Sequence, residues 1–82
     1  MLYSVTFSVS RNSSGYATYI GKLAGGFSPP YQKPLPDNMC EQFFYFHSIE
    51  EVNSFLRSAF KELGSQKFAI RSIVCEKSGK EQ

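Results

Sequence analysis

Reactive chemistry has few places to sit in this chain. His47 is the sole histidine, which removes every metal constellation built on several imidazoles and leaves one candidate general base. Cys40 and Cys75 are the only thiols. Either would make a nucleophile with His47 only if folding joined them, and no third orienting group is evident. Three soft or imidazole ligands also fall one short of a zinc tetrahedron, so neither metal nor cofactor is expected. Carboxylates adjoin only at Glu50-Glu51, where the start of a helix already accounts for them. Glycine meets lysine at Gly21-Lys22, but a P-loop needs four residues between its glycines and a hydroxyl after the lysine. Here five residues separate Gly15 from Gly21, and Leu23 occupies the hydroxyl position. Gly25-Gly26 lacks the third glycine of a dinucleotide fingerprint. The expectation is a protein that is not an enzyme.

Aromatic surface is what the chain holds in excess: Phe and Tyr supply 16% of residues, more than a small core needs. In EQFFYFHS, residues 41–48, alternation sends Phe44 and Phe46 one way and Phe43 and Tyr45 the other. One pair, Phe44 with Phe46 or the alternate pair, is expected to be core. A strand apolar on both sides is expected to be central and covered twice. GGFSPPYQKPLP, residues 25–36, gathers all four prolines with Phe27, Tyr31, Lys33 and Leu35. No two of these prolines are three apart, as a polyproline ligand requires. Connections this long are commonly functional. The rings and prolines predict an ordered excursion that either shields the second aromatic face or docks a partner. The candidate partner-binding residues are therefore Phe27, Tyr31, Lys33, Leu35, Phe43 and Tyr45.

The elements that position these residues follow from periodicity. LYSVTFSVS alternates apolar and hydroxyl side chains, the pattern of a half-buried strand. RNSSG reads as a turn and YATYIGKL as a second strand, giving a hairpin in which Gly21 marks a bulge or a close backbone approach. After the loop of residues 24–41 and the aromatic strand, SIEEVNSFLRSAFKELG predicts a helix. Ser48 caps it with Glu51 in a capping box, Ile49, Val52, Phe55, Leu56, Ala59, Phe60 and Leu63 form its apolar stripe, and Gly64 ends it. KFAIRSIVCEK reads as the last strand, with Cys75 in the core, while Cys40 falls in the loop as an accessible thiol. The expected fold is α+β, in β-β-β-α-β order. A four-stranded, mostly antiparallel sheet would carry one helix on one face and a long Gly/Pro-rich loop between strands two and three. Residues 1–77 would form a single domain and residues 78–82 a frayed tail.

Length and charge narrow the partners. At 82 residues with a formal net charge of +2, the chain has room for one core. Its Lys and Arg residues are interleaved with acids rather than gathered in a basic run. No signal-peptide pattern opens it and no apolar run approaches a membrane span. A cytoplasmic location with reduced thiols and no membrane partner is expected. RNA-recognition domains stack unpaired bases on sheet aromatics, but they carry a two-helix βαββαβ plan. KFAIRSIV does not match their central motif, and the prolines exclude a helix between strands two and three. Residues 43–76, with a strand, the Ser48-Ile49-Glu50-Glu51 helix start and a final strand, are similar in plan to small phage and mobile-element proteins. Those include anti-CRISPR and polymerase-inhibitor types. The similarity implies an inhibitor or regulator of a larger intracellular complex and assigns no residue a role. A protein-binding module is the leading expectation, single-stranded nucleic-acid binding through aromatics the alternative, and a homodimer is compatible with both.

Overall fold

A computed structural model describes residues 1–28 and 31–76. The tail expected at residues 78–82, and two of the four prolines, lie outside that range. Four strands and two helices form a small α+β domain: β1 (Leu2–Ser10), α1 (Ser14–Leu23), β2 (Lys33–Leu35), β3 (Met39–Phe46), α2 (Ile49–Leu63) and β4 (Phe68–Glu76). A 3-10 turn over Arg11–Ser13 joins β1 to α1. The sheet order is β2-β3-β1-β4, and every adjacent pair is antiparallel. Hence β3 and β4 run parallel to each other with β1 between them, the split βαβ connectivity. β3 is an inner strand, as expected, although the neighbour on one side is only the three-residue β2, and it shares the middle of the sheet with β1.

The expected β-β-β-α-β order is corrected at two elements, since Lys33–Leu35 inside the expected loop is itself a strand. YATYIGKL is not a strand but most of α1, so there is no first hairpin and two helices rather than one. Its buried residues, Ala17, Ile20 and Gly21, with Ala24 just past the helix end, fall at i, i+3, i+4 and i+7. That is a helical stripe. The aromatic and β-branched content that favours a strand is carried mainly by Tyr16 and Tyr19, which remain exposed. Gly21 does mark a close approach, but of a helix: a Cβ there would lie 2.3 Å from the Phe44 ring. Only a residue without a side chain lets α1 lie this near the sheet.

Both helices pack on one face of the sheet. One core cluster joins Val5, Phe7 and Val9 of β1, Cys40, Phe44 and Phe46 of β3, and Phe68 of β4 to Ala17 and Ile20 of α1 and to Val52, Phe55 and Ala59 of α2. Phe55 lies at its centre, with ring centroids 5.3–5.7 Å from those of Phe7, Phe44, Phe46 and Phe68. Of the two alternating pairs, Phe44 and Phe46 are thus the one in the core. Ser48 caps α2 as expected, its Oγ accepting from the Glu51 N–H at 3.2 Å, but the return bond of the box lands one residue early: the Glu51 carboxylate accepts from the His47 N–H at 2.8 Å rather than from that of Ser48. Of its apolar stripe, Ile49 and Phe60 stay exposed at the margins.

The Gly/Pro segment is partly sheet. Lys33, Pro34 and Leu35 pair with Glu41, Cys40 and Met39, and Asp37 and Asn38 turn the chain between them with φ of 61° and 60°. Two consecutive left-handed residues of these types make a tight hairpin turn that follows the strand twist. Because β3 begins at Met39, Cys40 belongs to a strand and is buried against the helices, not accessible in a loop. Cys75 is likewise reversed from core to exposed, since β4 from Arg71 onward runs past the helices' cover. No helix among the described residues is long and apolar enough to cross a membrane.

Candidate functional site

Antiparallel pairing sorts the other face of the sheet residue by residue. Tyr45, Phe43 and Glu41 of β3 stand opposite Ser4, Thr6 and Ser8 of β1, so small hydroxyl side chains floor one strand and rings line the next. Neither helix covers this side. The Gly/Pro segment extends the line of rings instead of burying it. Phe27 forms an isolated bridge to Tyr45, exchanging backbone hydrogen bonds of 3.0 and 2.8 Å. Its ring lies 5.6 Å from that of Tyr45 and 5.2 Å from that of His47. Tyr31 sits on Phe43 at 5.0 Å, and Phe43 meets Tyr45 at 5.5 Å. The result is a continuous row, Tyr31–Phe43–Tyr45–Phe27–His47, whose loop members Tyr31 and Phe27 remain 41% and 45% exposed.

Polar groups fix one end of the row. Glu41 accepts a hydrogen bond from the Tyr31 hydroxyl at 3.3 Å and an ion pair from Arg71 Nε at 3.1 Å. Arg71 reaches it across β1 because β4 carries an extra residue there: Thr6 pairs with Ser72 and Phe7 with Ile70, leaving Arg71 unmatched in a bulge. Partial burial, and then the Glu41 carboxylate, raise the Tyr31 phenol above its ordinary value of 10.0. Lys33 pairs with Glu41 across the β2–β3 ladder, so two cations, Lys33 and Arg71, flank one carboxylate at this end.

Five of the six residues singled out in the sequence therefore gather here: Phe27, Tyr31, Lys33, Phe43 and Tyr45. Leu35 lies farther along, opposite Met39 and half-buried. Three contributors were not foreseen. His47 joins through ring stacking, Glu41 as the polar anchor, and Arg71 through the bulge. Arg71 had a legible signal, because the apolar alternation of FAIRSIVCE slips by one residue between Ile70 and Ile73. The pairing of Cys40 with His47 has no support. Cys40 and His47 lie at opposite ends of β3, and burial raises the Cys40 thiol above its ordinary 9.0, away from nucleophilic thiolate. Among the described residues no three His, Cys, Asp or Glu side chains gather as metal ligands.

On the helix side of β3, Gln42 is the exception to an apolar row, 8% exposed, with Oε1 lacking a hydrogen-bond partner among the described residues. A buried amide left unpaired costs about 1–3 kcal/mol. Comparison with protein-family models, with curated proteins and with solved structures finds no match to this chain.

Proposed function

We propose that this chain is a non-catalytic binding module whose helix-free sheet face takes single-stranded nucleic acid. The observation that carries the reading is the row of five rings, half-exposed along one strand and bordered by hydroxyls. Unpaired bases stack on such rings whatever their identity, at about 1–3 kcal/mol per base. Hydroxyls of Ser4 and Thr6, both part-exposed, are of a size to leave the rings standing proud and to hydrogen-bond sugar or phosphate oxygens. The prolines do not oppose this reading, because the first helix lies before them, between the first two strands. The test is fluorescence anisotropy with a labelled hexanucleotide. Tyr45→Ser should weaken binding by about 5- to 150-fold, the equivalent of one stacked base. With Lys33 and Arg71 as phosphate contacts, log K should fall with log salt with a slope of about −1.4. Unchanged affinity in the Tyr45→Ser protein would sink the reading.

A second reading has its own observation. Glu41 stands between the two cations of the face, which weakens its pull on phosphate. Aromatic rings over a Ser/Thr floor also suit a protein partner, as in Tyr- and Ser-rich paratopes, and an inhibitor or regulator of a larger complex would use them so. Binding of a stoichiometric protein partner, lost in Tyr45→Ser and insensitive to salt, supports this alternative over the first.

A further inference from the structure

The two edges of the sheet are finished differently. At one, β2 is three residues long and carries Lys33 and Pro34. Shortness, a lysine and a proline are how a protein keeps an edge strand from pairing with another chain. At the other edge, β4 runs for nine residues and, among the described residues, has β1 as its only strand neighbour. Its bulge at Arg71 bends the strand, but residues 72–76 beyond it hold neither lysine nor proline. This stretch is apolar where it shows. Ile73 lies toward the helices, opposite the fully buried Val5, yet is 45% exposed, and Val74 on the other side is 48% exposed. Cys75 is exposed as well. An apolar edge of this length invites a further strand.

The edge is complementary to itself. A two-fold axis through the sheet at Ile73 would set two β4 strands antiparallel, with Ile73 against Ile73 and Ser72 against Val74. With Arg71 bulged out in each copy, Ile70 then meets Cys75 and Ala69 meets Glu76. Each pair shares one side of the sheet, since Ile70, Ile73 and Cys75 lie toward the helices and the others away. Every contact on the helix side is apolar, and no like charges stand opposite each other. Such pairing uses both β4 edges and leaves only the β2 edges at the ends, where Lys33 and Pro34 already block addition. The assembly therefore closes at two copies.

We propose that β4 is a self-association edge, through which two copies of this chain join their sheets antiparallel about Ile73. The aromatic row takes no part, because β1 lies between β3 and this edge.

Sedimentation equilibrium of the full chain, over a concentration series reaching the submillimolar range, tests this. The mass should rise to twice that of one chain and no further. Ile73→Lys and Ile73→Glu should each weaken association by about tenfold or more, because each opposes like charges and removes an apolar pair from the contact. An equimolar mixture of the two variants should restore the dimer, since lysine then faces glutamate. Circular dichroism should show both variants folded, as the exposure of Ile73 permits. Hydrogen exchange in the wild type needs no variant: amides of β4 should slow as concentration rises, while those of β2 do not. Tyr45→Ser should dimerise as the wild type does, which separates this edge from the sheet face. The proposal is overturned by a wild type that stays monomeric, by assemblies larger than two, by wild-type association in Ile73→Lys, or by a mixture of folded variants that stays monomeric. Should either variant fail to fold, concentration-independent exchange in β4 overturns it alone.

Discussion

Gly21→Ala should destabilise the protein although alanine is the better helix former. The added Cβ would sit 2.3 Å from Phe44 Cε2 and 2.4 Å from Cζ, against about 3.5–4.0 Å for carbon atoms in contact. Phe44 cannot retreat, since its ring is hemmed by Phe7, Phe46 and Phe55 with centroids 6.2, 5.8 and 5.7 Å away. The helix itself must lift by an ångström or more. Overpacking of this kind costs about 1–3 kcal/mol, and the gain in helix propensity offsets about 1 kcal/mol at most. The shortfall in distance puts the net loss near 1–2 kcal/mol. For a domain of this size that lowers Tm by about 5–15 °C. Gly15 supplies the control in the same helix: nothing lies within 4 Å of its would-be Cβ, so Gly15→Ala should raise Tm by a few degrees. Thermal melts followed by circular dichroism, with urea titrations for the free energies, read both variants. Opposite signs are required. If Gly21→Ala melts at or above the wild-type temperature, α1 does not lie against Phe44 as described.

Further outcomes test other parts of the molecule. Ser48→Ala should cost about 1 kcal/mol in urea unfolding by removing the cap on the Glu51 N–H. A thiol reagent at neutral pH should modify Cys75 promptly and Cys40 only on unfolding, as mass spectrometry of the labelled peptides would show. The Tyr31 phenol should ionise above 10.0, as should Tyr3 and Tyr16, seen as a late phase in absorbance at 295 nm that Tyr31→Phe diminishes. A raised folded value favours the neutral phenol, so its contribution to stability is present below the unfolded value and lost as pH climbs through the folded one. Arg71→Ala should change stability by under about 1 kcal/mol, as an exposed ion pair does, yet weaken oligonucleotide binding and flatten its salt dependence.

Most of this architecture was legible because local signals agreed with tertiary use. β1 alternates as a half-covered strand must, and α2 carries a cap, a stripe and a terminal glycine that all indicate the same helix. Residues 16–23 failed because two signals conflicted. Tyr16, Thr18, Tyr19 and Ile20 favour a strand by type, while Ala17, Ile20, Gly21 and Ala24 mark a helix by spacing, and spacing decided since it is what meets the core. Cys40 was misassigned because β3 begins early enough to bury it, and Cys75 because β4, though placed correctly, outruns the helices there. The rings of the site were found from their number and alternation. That Phe27 and Tyr31 join the row edge to edge depends on pairing between distant segments, which no local pattern encodes. Gln42 was invisible for a related reason, since a glutamine among aromatics signals nothing until its face of the strand is known.

The bulge at Arg71 has a bearing on how this face can be edited. Take that residue out and β4 becomes FAISIVCE, whose simple alternation still sends Phe68, Ile70, Ile73 and Cys75 toward the helices and Ala69, Ser72, Val74 and Glu76 away, as the present pairing does. The strand is thus complete without it. Arg71 is an extra residue in the strand that leaves the alternation of faces intact and adds one cation to the opposite surface. A deletion of that one residue, rather than a substitution, is accordingly the cleanest way to return the sheet to an unadorned state, with Glu41 released from its partner and the fold unchanged.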